Sequence, residues 1–149
     1  MKVVILAGGL GTRLGEFTEK KPKPMIEIGD KPIIWHIMKI YASYGFNEFI
    51  LALGYKSLEI KKFFSDYALS TKDCEIDMAS RNINFINKED LNWKITLVET
   101  GLNTMTGGRI KRLQKFINEE PFMLTYGDGV ANINIRQLLE FHKKNKKII

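Results

Sequence analysis

A chain of 149 residues, 44% hydrophobic and 27% charged, holds enough apolar material for one packed domain and too little for two ordinary ones. No apolar run approaches the ~20 residues that span a bilayer, and the short run after Met1 and Lys2 leads into glycines, so neither a membrane partner nor a secretory leader is expected. The single cysteine, Cys74, closes no internal disulfide and reads as a structural thiol in a cytoplasmic setting, while the net charge of +6 lacks the aromatic and arginine platforms that would turn it toward nucleic acid.

Val3 to Leu6 is an uninterrupted apolar run, the pattern of a strand buried on both faces. From Pro32, the residues Ile33, Ile34, Ile37, Met38, Ile40, Tyr41 and Tyr44 fall on one broad helical stripe that Gly45 ends. Phe49 to Leu53 is the next buried strand. A helix is expected from Ser57 to Asp66, with Ser57 as its N-cap. Residues 70–93 break the rhythm with polar, asparagine-rich sequence, and read as a long excursion built around a β-hairpin. Such excursions are frequent sites of subunit contact. Ile95 to Val98 resumes as a strand, Gly108 to Ile117 as a helix, Phe122 to Tyr126 as a strand and Ile135 to Asn145 as a helix. Lys147 to Ile149 resembles the opening of one more strand. Lys143, Lys144, Lys146 and Lys147 suit the carbonyl end of the last helix.

Alternation of this kind implies an α/β fold, a Rossmann-like and mostly parallel sheet with helices on both faces. Ligands in such sheets bind at the carboxyl ends of the strands. The loops after Ala7, Gly54, Thr100 and Tyr126 are therefore the places to look for chemistry.

The first of these loops carries Gly8, Gly9 and Gly11, which let main-chain N–H groups approach an anion or a base edge. A P-loop is excluded because no Lys-Ser/Thr pair follows the glycines. The dinucleotide fingerprint is excluded because Leu14 stands where its last glycine belongs. A tight strand-to-helix turn would be the plain alternative for the glycines taken alone, but Arg13 places a fixed cationic fork in the same loop and weighs against it. Next, Lys21-Pro22-Lys23-Pro24-Met25 fixes a lysine between prolines that hold the chain near an extended form and bar a helix; an exposed loop is the plain alternative. Thr104 to Arg109 puts Gly107, Gly108 and a basic fork at a helix start, or is simply a capped helix. Gly127-Asp128-Gly129 sets an acid at a strand end, suited to a divalent cation beside phosphates or to an ordinary turn. His36 and His142 lie within amphipathic helices and read as packing or surface residues.

These segments occur in one order, each at the same sheet edge. The run from Gly8 to Leu14, Lys21-Pro22-Lys23-Pro24-Met25 and Gly29-Asp30-Lys31-Pro32 together resemble the signature of the sugar-1-phosphate nucleotidyltransferases. Trp35-His36-Ile37-Met38, Met105-Thr106-Gly107-Gly108-Arg109 and Thr125-Tyr126-Gly127-Asp128-Gly129-Val130 are similar to the glucose-1-phosphate cytidylyltransferases among them. The resemblance runs from Met1 to about Lys147.

It implies cytidylyl transfer from CTP to α-D-glucose 1-phosphate, yielding CDP-glucose and pyrophosphate, with Mg²⁺ as cofactor and a homo-oligomer when full length. Leu6, Ala7, Gly8, Gly9, Leu10 and Gly11 would hold the nucleotide, with Thr12 and Arg13 on its phosphates. Arg13 would steady the leaving pyrophosphate, and Lys23 would bridge the α-phosphate and the sugar phosphate. Asp128 would bind the metal. Thr104 and Arg109 would help bind the nucleotide, Arg109 at the cytosine edge. The family's chain continues well past Ile149 with much of the sugar pocket, a second metal carboxylate and further strands. Residues 1–149 would thus form the nucleotide-binding portion. A related uridylyl- or thymidylyltransferase and a catalytically incomplete nucleotide-binding module are the alternatives.

Overall fold

The computed structural model describes residues 1–11, 21–71, 73–86 and 91–145. Its centre is a four-stranded sheet made of β1 (Val3–Leu6), β4 (Glu48–Leu53), β7 (Lys94–Glu99) and β8 (Met123–Tyr126), in the order β7-β4-β1-β8. Every neighbouring pair is parallel, so each connection is a crossover and all four carboxyl ends share one edge. Val3, Val4 and Ile5 are wholly inaccessible, as a central strand covered on both sides requires, and their branched side chains suit a pleated surface.

Alternation along β1 divides the core in two. Val3 and Ile5 face α1 (Ile33–Ser43), α2 (Ser57–Thr71) and the first residue of α5 (Ile135–Asn145); Val4 and Leu6 face Ile110 of α3 (Thr106–Arg112), Leu113, and Phe116 and Ile117 of α4 (Gln114–Ile117). Helices therefore cover both faces of a parallel sheet, the architecture expected from the sequence. In α1 the buried positions are Ile34, Ile37, Met38 and Tyr41, one helical stripe entered through the extended backbone of Pro32. The Tyr41 phenol meets the Thr125 hydroxyl of β8, and burial pushes its pKa above the ordinary tyrosine value.

Local differences from the sequence reading have plain causes. The segment expected to stay extended around Lys23 closes one 3-10 turn, Lys23–Met25, after an extended Pro22. Three residues make only the bonds Met25 N–H to Pro22 O (2.8 Å) and Ile26 N–H to Lys23 O (3.0 Å), and a proline inside a first turn removes no donor that such a turn needs. The helix expected over 108–117 begins earlier and breaks at Leu113, whose N–H turns back to Ile110 O at 3.0 Å; the tightened turn keeps Leu113 and Ile117 both against the sheet. Helix α2 outruns its expected end at Asp66. No glycine or proline intervenes, and Ser70 and Thr71 return their hydroxyls to Tyr67 O at 3.2 and 2.6 Å. Ser57 is its first residue rather than its cap, with its hydroxyl on the Glu99 carboxylate.

The excursion does contain a hairpin, β5 (Cys74–Asp77) paired antiparallel with β6 (Asn82–Phe85). Its turn is closed by Asp77, which accepts from Ala79 N–H at 2.8 Å and from Ser80 Oγ at 2.6 Å. A small antiparallel pair, β2 (Glu27–Ile28) with β3 (Lys31–Pro32), links the lysine segment to α1. Lys143 and Lys144 do lie on the last turn of α5; Lys146 and the strand expected at Lys147 to Ile149 fall outside the described residues. Among the described residues, no helix is long and apolar enough to cross a membrane.

Candidate functional site

At the carboxyl edge of the sheet a cleft of about 290 Å³ opens between the loops that follow β1, β7 and β8. Leu6, Ala7, Gly8, Gly9 and Gly11 form its floor, just where β1 ends and Ala7 N–H still bonds Ala52 O at 3.0 Å. Leu10 is half-exposed and does not line the cleft. Thr12 and Arg13 lie outside the described residues.

Lys23 and Asp128 meet across the cleft, with Nζ 3.6 Å from Oδ2. The 3-10 turn aims Lys23 into the cleft, while Lys21 turns away and pairs with Glu27 at 2.6 Å, so these two lysines divide into one cleft-facing and one surface residue. Asp128 is carried by the end of β8. Gly127 before it donates to Leu6 O at 3.0 Å, and a Cβ there would come within 3.1 Å of that same oxygen and 3.3 Å of Pro24. The glycine thus lets the acidic loop close against both β1 and the lysine turn.

Thr104 and Arg109 border the cleft from the β7–α3 segment. Helix α3 has only seven residues, too short for an N-terminal dipole to weigh much in a solvent-open cleft; the segment's contribution is its side chains. Thr104 Oγ1 accepts from Arg112 Nη1 at 2.6 Å, which leaves its own hydrogen free to donate outward. Arg109, the residue expected at the cytosine edge, is held by protein acceptors. It is 5% exposed, and its guanidinium donates to five protein acceptors: Nη1 to Leu53 O (3.1 Å), Thr100 Oγ1 (2.7 Å) and Gly101 O (2.8 Å), Nη2 to Gly8 O (2.8 Å) and Leu102 O (3.2 Å). Burial, and after it the like charge of Arg112, lowers its pKa from the ordinary arginine value. Its terminal nitrogens are engaged by the protein, because a buried cation must saturate its donors.

Pro24, Met105, Thr106 and Tyr126 also line the cleft and were not singled out as site residues. Tyr126 and Met105 had a readable signal: each is a large side chain at the end or start of an element, and each stays exposed, by 61% and 82%. His36 Nε2 donates to Ile28 O at 2.9 Å and His142 lies on the exposed end of α5, in keeping with packing and surface roles.

Among the described residues one carboxylate, that of Asp128, lines the cleft, and they hold no cluster of three or more His, Cys, Asp or Glu side chains that would cage a metal ion. A single carboxylate fits an ion that arrives with phosphates and keeps several waters, as Mg²⁺ does, and does not fit a zinc-type cage.

The family model for nucleotidyl transferases matches residues 2–149. The chain is 50% identical over 148 residues to glucose-1-phosphate cytidylyltransferase of Salmonella typhimurium, covering 99% of this chain and 58% of that protein. It is 36% identical to D-glycero-alpha-D-manno-heptose 1-phosphate guanylyltransferase of Campylobacter jejuni, over 93% of this chain and 52% of the relative. Among solved structures, HddC from Yersinia pseudotuberculosis in complex with GMP-PN superposes with a TM-score of 0.68 at 29% identity, over 95% of this chain and 53% of that one. The chain thus spans between half and three fifths of the length of these relatives.

Proposed function

Since this chain belongs to the nucleotidyl transferase family, we propose that residues 1–149 form the nucleotide-binding portion of an enzyme that transfers a cytidylyl group from CTP to α-D-glucose 1-phosphate, giving CDP-glucose and pyrophosphate. One observation carries the reading: the glycine loop, Lys23 and Asp128, from three separate segments, converge on one cleft at the carboxyl edge of the parallel sheet. The choice of CTP and glucose 1-phosphate is supported by the half-identical cytidylyltransferase.

In this reaction an oxygen of the sugar phosphate attacks the α-phosphorus in line. The new P–O bond forms as the bond to the β-phosphate oxygen breaks, and pyrophosphate carries that electron pair away. The attacking phosphate is already ionised, so no proton relay is required, and the protein's work is to position and neutralise two anions. Lys23, half-buried in its turn, bridges the α-phosphate and the sugar phosphate in this reading; a compact ammonium does this without a planar partner. Arg13 and Thr12 are assigned to the phosphates, with Arg13 at the leaving pyrophosphate. Main-chain N–H groups of the 8–11 loop hold the nucleotide, and the Thr104 hydroxyl donates to it. Asp128, together with substrate phosphates, would hold Mg²⁺, which when bound screens the repulsion between the two anionic reactants. Self-association of a longer chain belongs to the same reading, supported by the apolar face that Ile76 and Ile83 leave exposed on the β5–β6 hairpin.

Calorimetric titration of the chain with CTP, UTP, dTTP and GTP, each with Mg²⁺, tests the nucleotide; pyrophosphate release with glucose 1-phosphate tests the transfer. Tightest binding of CTP is expected, and equal affinity for all four would remove the cytidylyl assignment while leaving the family intact.

A further inference from the structure

Three loops meet behind the cleft, and one side chain joins them. The five acceptors of the Arg109 guanidinium belong to the loop after β1, the end of β4 and the loop after β7. Thr100, wholly buried, stands at the centre: its hydroxyl donates to Leu53 O at 2.6 Å and accepts from Arg109 Nη1 at 2.7 Å. Two glycines make room for the guanidinium. A Cβ on Gly8 would lie 2.3 Å from Nη1, and one on Gly54 would lie 2.6 Å from it. The cation, both glycines and the threonine form one fitted unit.

The consequence lies in the peptide that joins Gly8 to Gly9. Its carbonyl is drawn inward by two donors, Arg109 Nη2 at 2.8 Å and Tyr55 N–H at 3.2 Å. A planar trans peptide points its N–H opposite to its C=O, so pinning Gly8 O toward the sheet turns Gly9 N–H outward. Gly9 lines the cleft with open space beside it.

We propose that Arg109 is a positioning residue for a nucleoside triphosphate: by holding Gly8 O it fixes the Gly9 N–H toward the ligand's phosphates, and it does not read the base. This rests on the assignment of the cleft to a nucleotide. Lysine cannot replace it, because a point ammonium with three donors cannot span three loops. The geometry also separates two kinds of arginine variant effect: a base reader selects among nucleotides, whereas a loop-holder supports all triphosphates alike.

The test compares the wild-type chain with Arg109→Lys and with Thr100→Val, a nearly isosteric change that removes only the central hydroxyl. Each is titrated with Mg·CTP, Mg·UTP and Mg·tripolyphosphate, and the Gly9 amide resonance is followed by ¹⁵N–¹H NMR. Loss of a charge-assisted hydrogen bond predicts that all three ligands bind about tenfold more weakly in Arg109→Lys, with a smaller loss in Thr100→Val. The CTP-to-UTP ratio stays unchanged, and the Gly9 amide no longer shifts when tripolyphosphate is added. A loss confined to CTP overturns the proposal in favour of base reading. Unchanged affinities with a lowered melting temperature overturn it in favour of a purely structural strap. Should Arg109→Lys fail to fold, the Thr100→Val titrations decide between the same outcomes. Wild-type chain that binds none of the three ligands removes the nucleotide assignment itself, and this proposal with it.

Discussion

Lys23 and Asp128 face each other across the cleft, the ammonium nitrogen 3.6 Å from the carboxylate oxygen, although they come from near the two ends of the chain. Neither is fully shielded, with side-chain exposures of 22% and 40%, so the pair is better placed to exchange partners than to stabilise the fold. Under the proposed function an arriving nucleotide would give each a stronger partner, phosphate oxygens for the lysine and a metal ion for the carboxylate.

Lys23→Ala removes the ammonium proposed to neutralise both reacting phosphates. In a full-length version, turnover in a coupled pyrophosphate-release assay is expected to drop by on the order of a hundredfold or more, while calorimetric affinity for CTP changes by less than about tenfold. Turnover close to wild type would remove Lys23 from the reacting centre.

Asp128→Asn keeps the shape and takes away the anion. Titrated with CTP in EDTA and again with Mg²⁺, the wild-type chain should gain affinity from the metal and the variant should not. An equal gain in both would place the metal on the phosphates alone.

Gly8→Ala forces a methyl group to within 2.3 Å of a guanidinium held by five acceptors. Overpacking at a confined site costs about 1–3 kcal/mol, so a lower urea midpoint is expected together with weakened triphosphate binding. The companion Gly9→Ala meets nothing within 4 Å and should leave the midpoint near wild type.

Leu113→Ala hollows the second core layer where α3 passes into α4. Leu113 is wholly buried, and truncating such a leucine costs about 2–5 kcal/mol. Urea denaturation monitored by circular dichroism measures it; a loss under about 1 kcal/mol would mean that the break between the helices collapses to fill the space.

Glu99, at the carboxyl end of β7, has its pKa held below the ordinary value chiefly by its bond with Lys61. A depressed folded-state pKa stabilises the fold above the unfolded-state value, and that contribution disappears as pH falls through the folded-state value. The pair is about half exposed, so its worth is at most about 1 kcal/mol. Melting temperatures of wild type and Glu99→Gln should differ slightly at pH 7 and converge as the pH falls through the lowered folded-state value; a difference that widens toward acid would contradict this assignment.

Much of the fold was legible in the sequence because the burial it describes is one-dimensional. A run such as Val3 to Leu6 must be covered on both faces whatever its neighbours are, and the stripe in α1 repeats with the period of a helix. Helix ends were less legible. Ser70 and Thr71 extended α2 by bonding back to Tyr67, and Leu113 broke the next helix, through choices that depend on which surface lies beneath.

The cleft divides in the same way. The glycines after β1, the lysine between prolines and the acid after β8 are each tied to a sharp local backbone constraint, so sequence alone marked them and their order. Composition alone also set the net charge. What only the tertiary structure decided is how these side chains are employed. Lys21 and Lys23 look equivalent in the chain, yet a single 3-10 turn sends one to Glu27 and the other to Asp128. Arg109 looks like an exposed fork at a helix start, yet it is buried behind the glycine loop. Its hydrogen-bond partners come from three strand ends that only the parallel sheet brings together, and a buried cation takes whatever acceptors that convergence supplies.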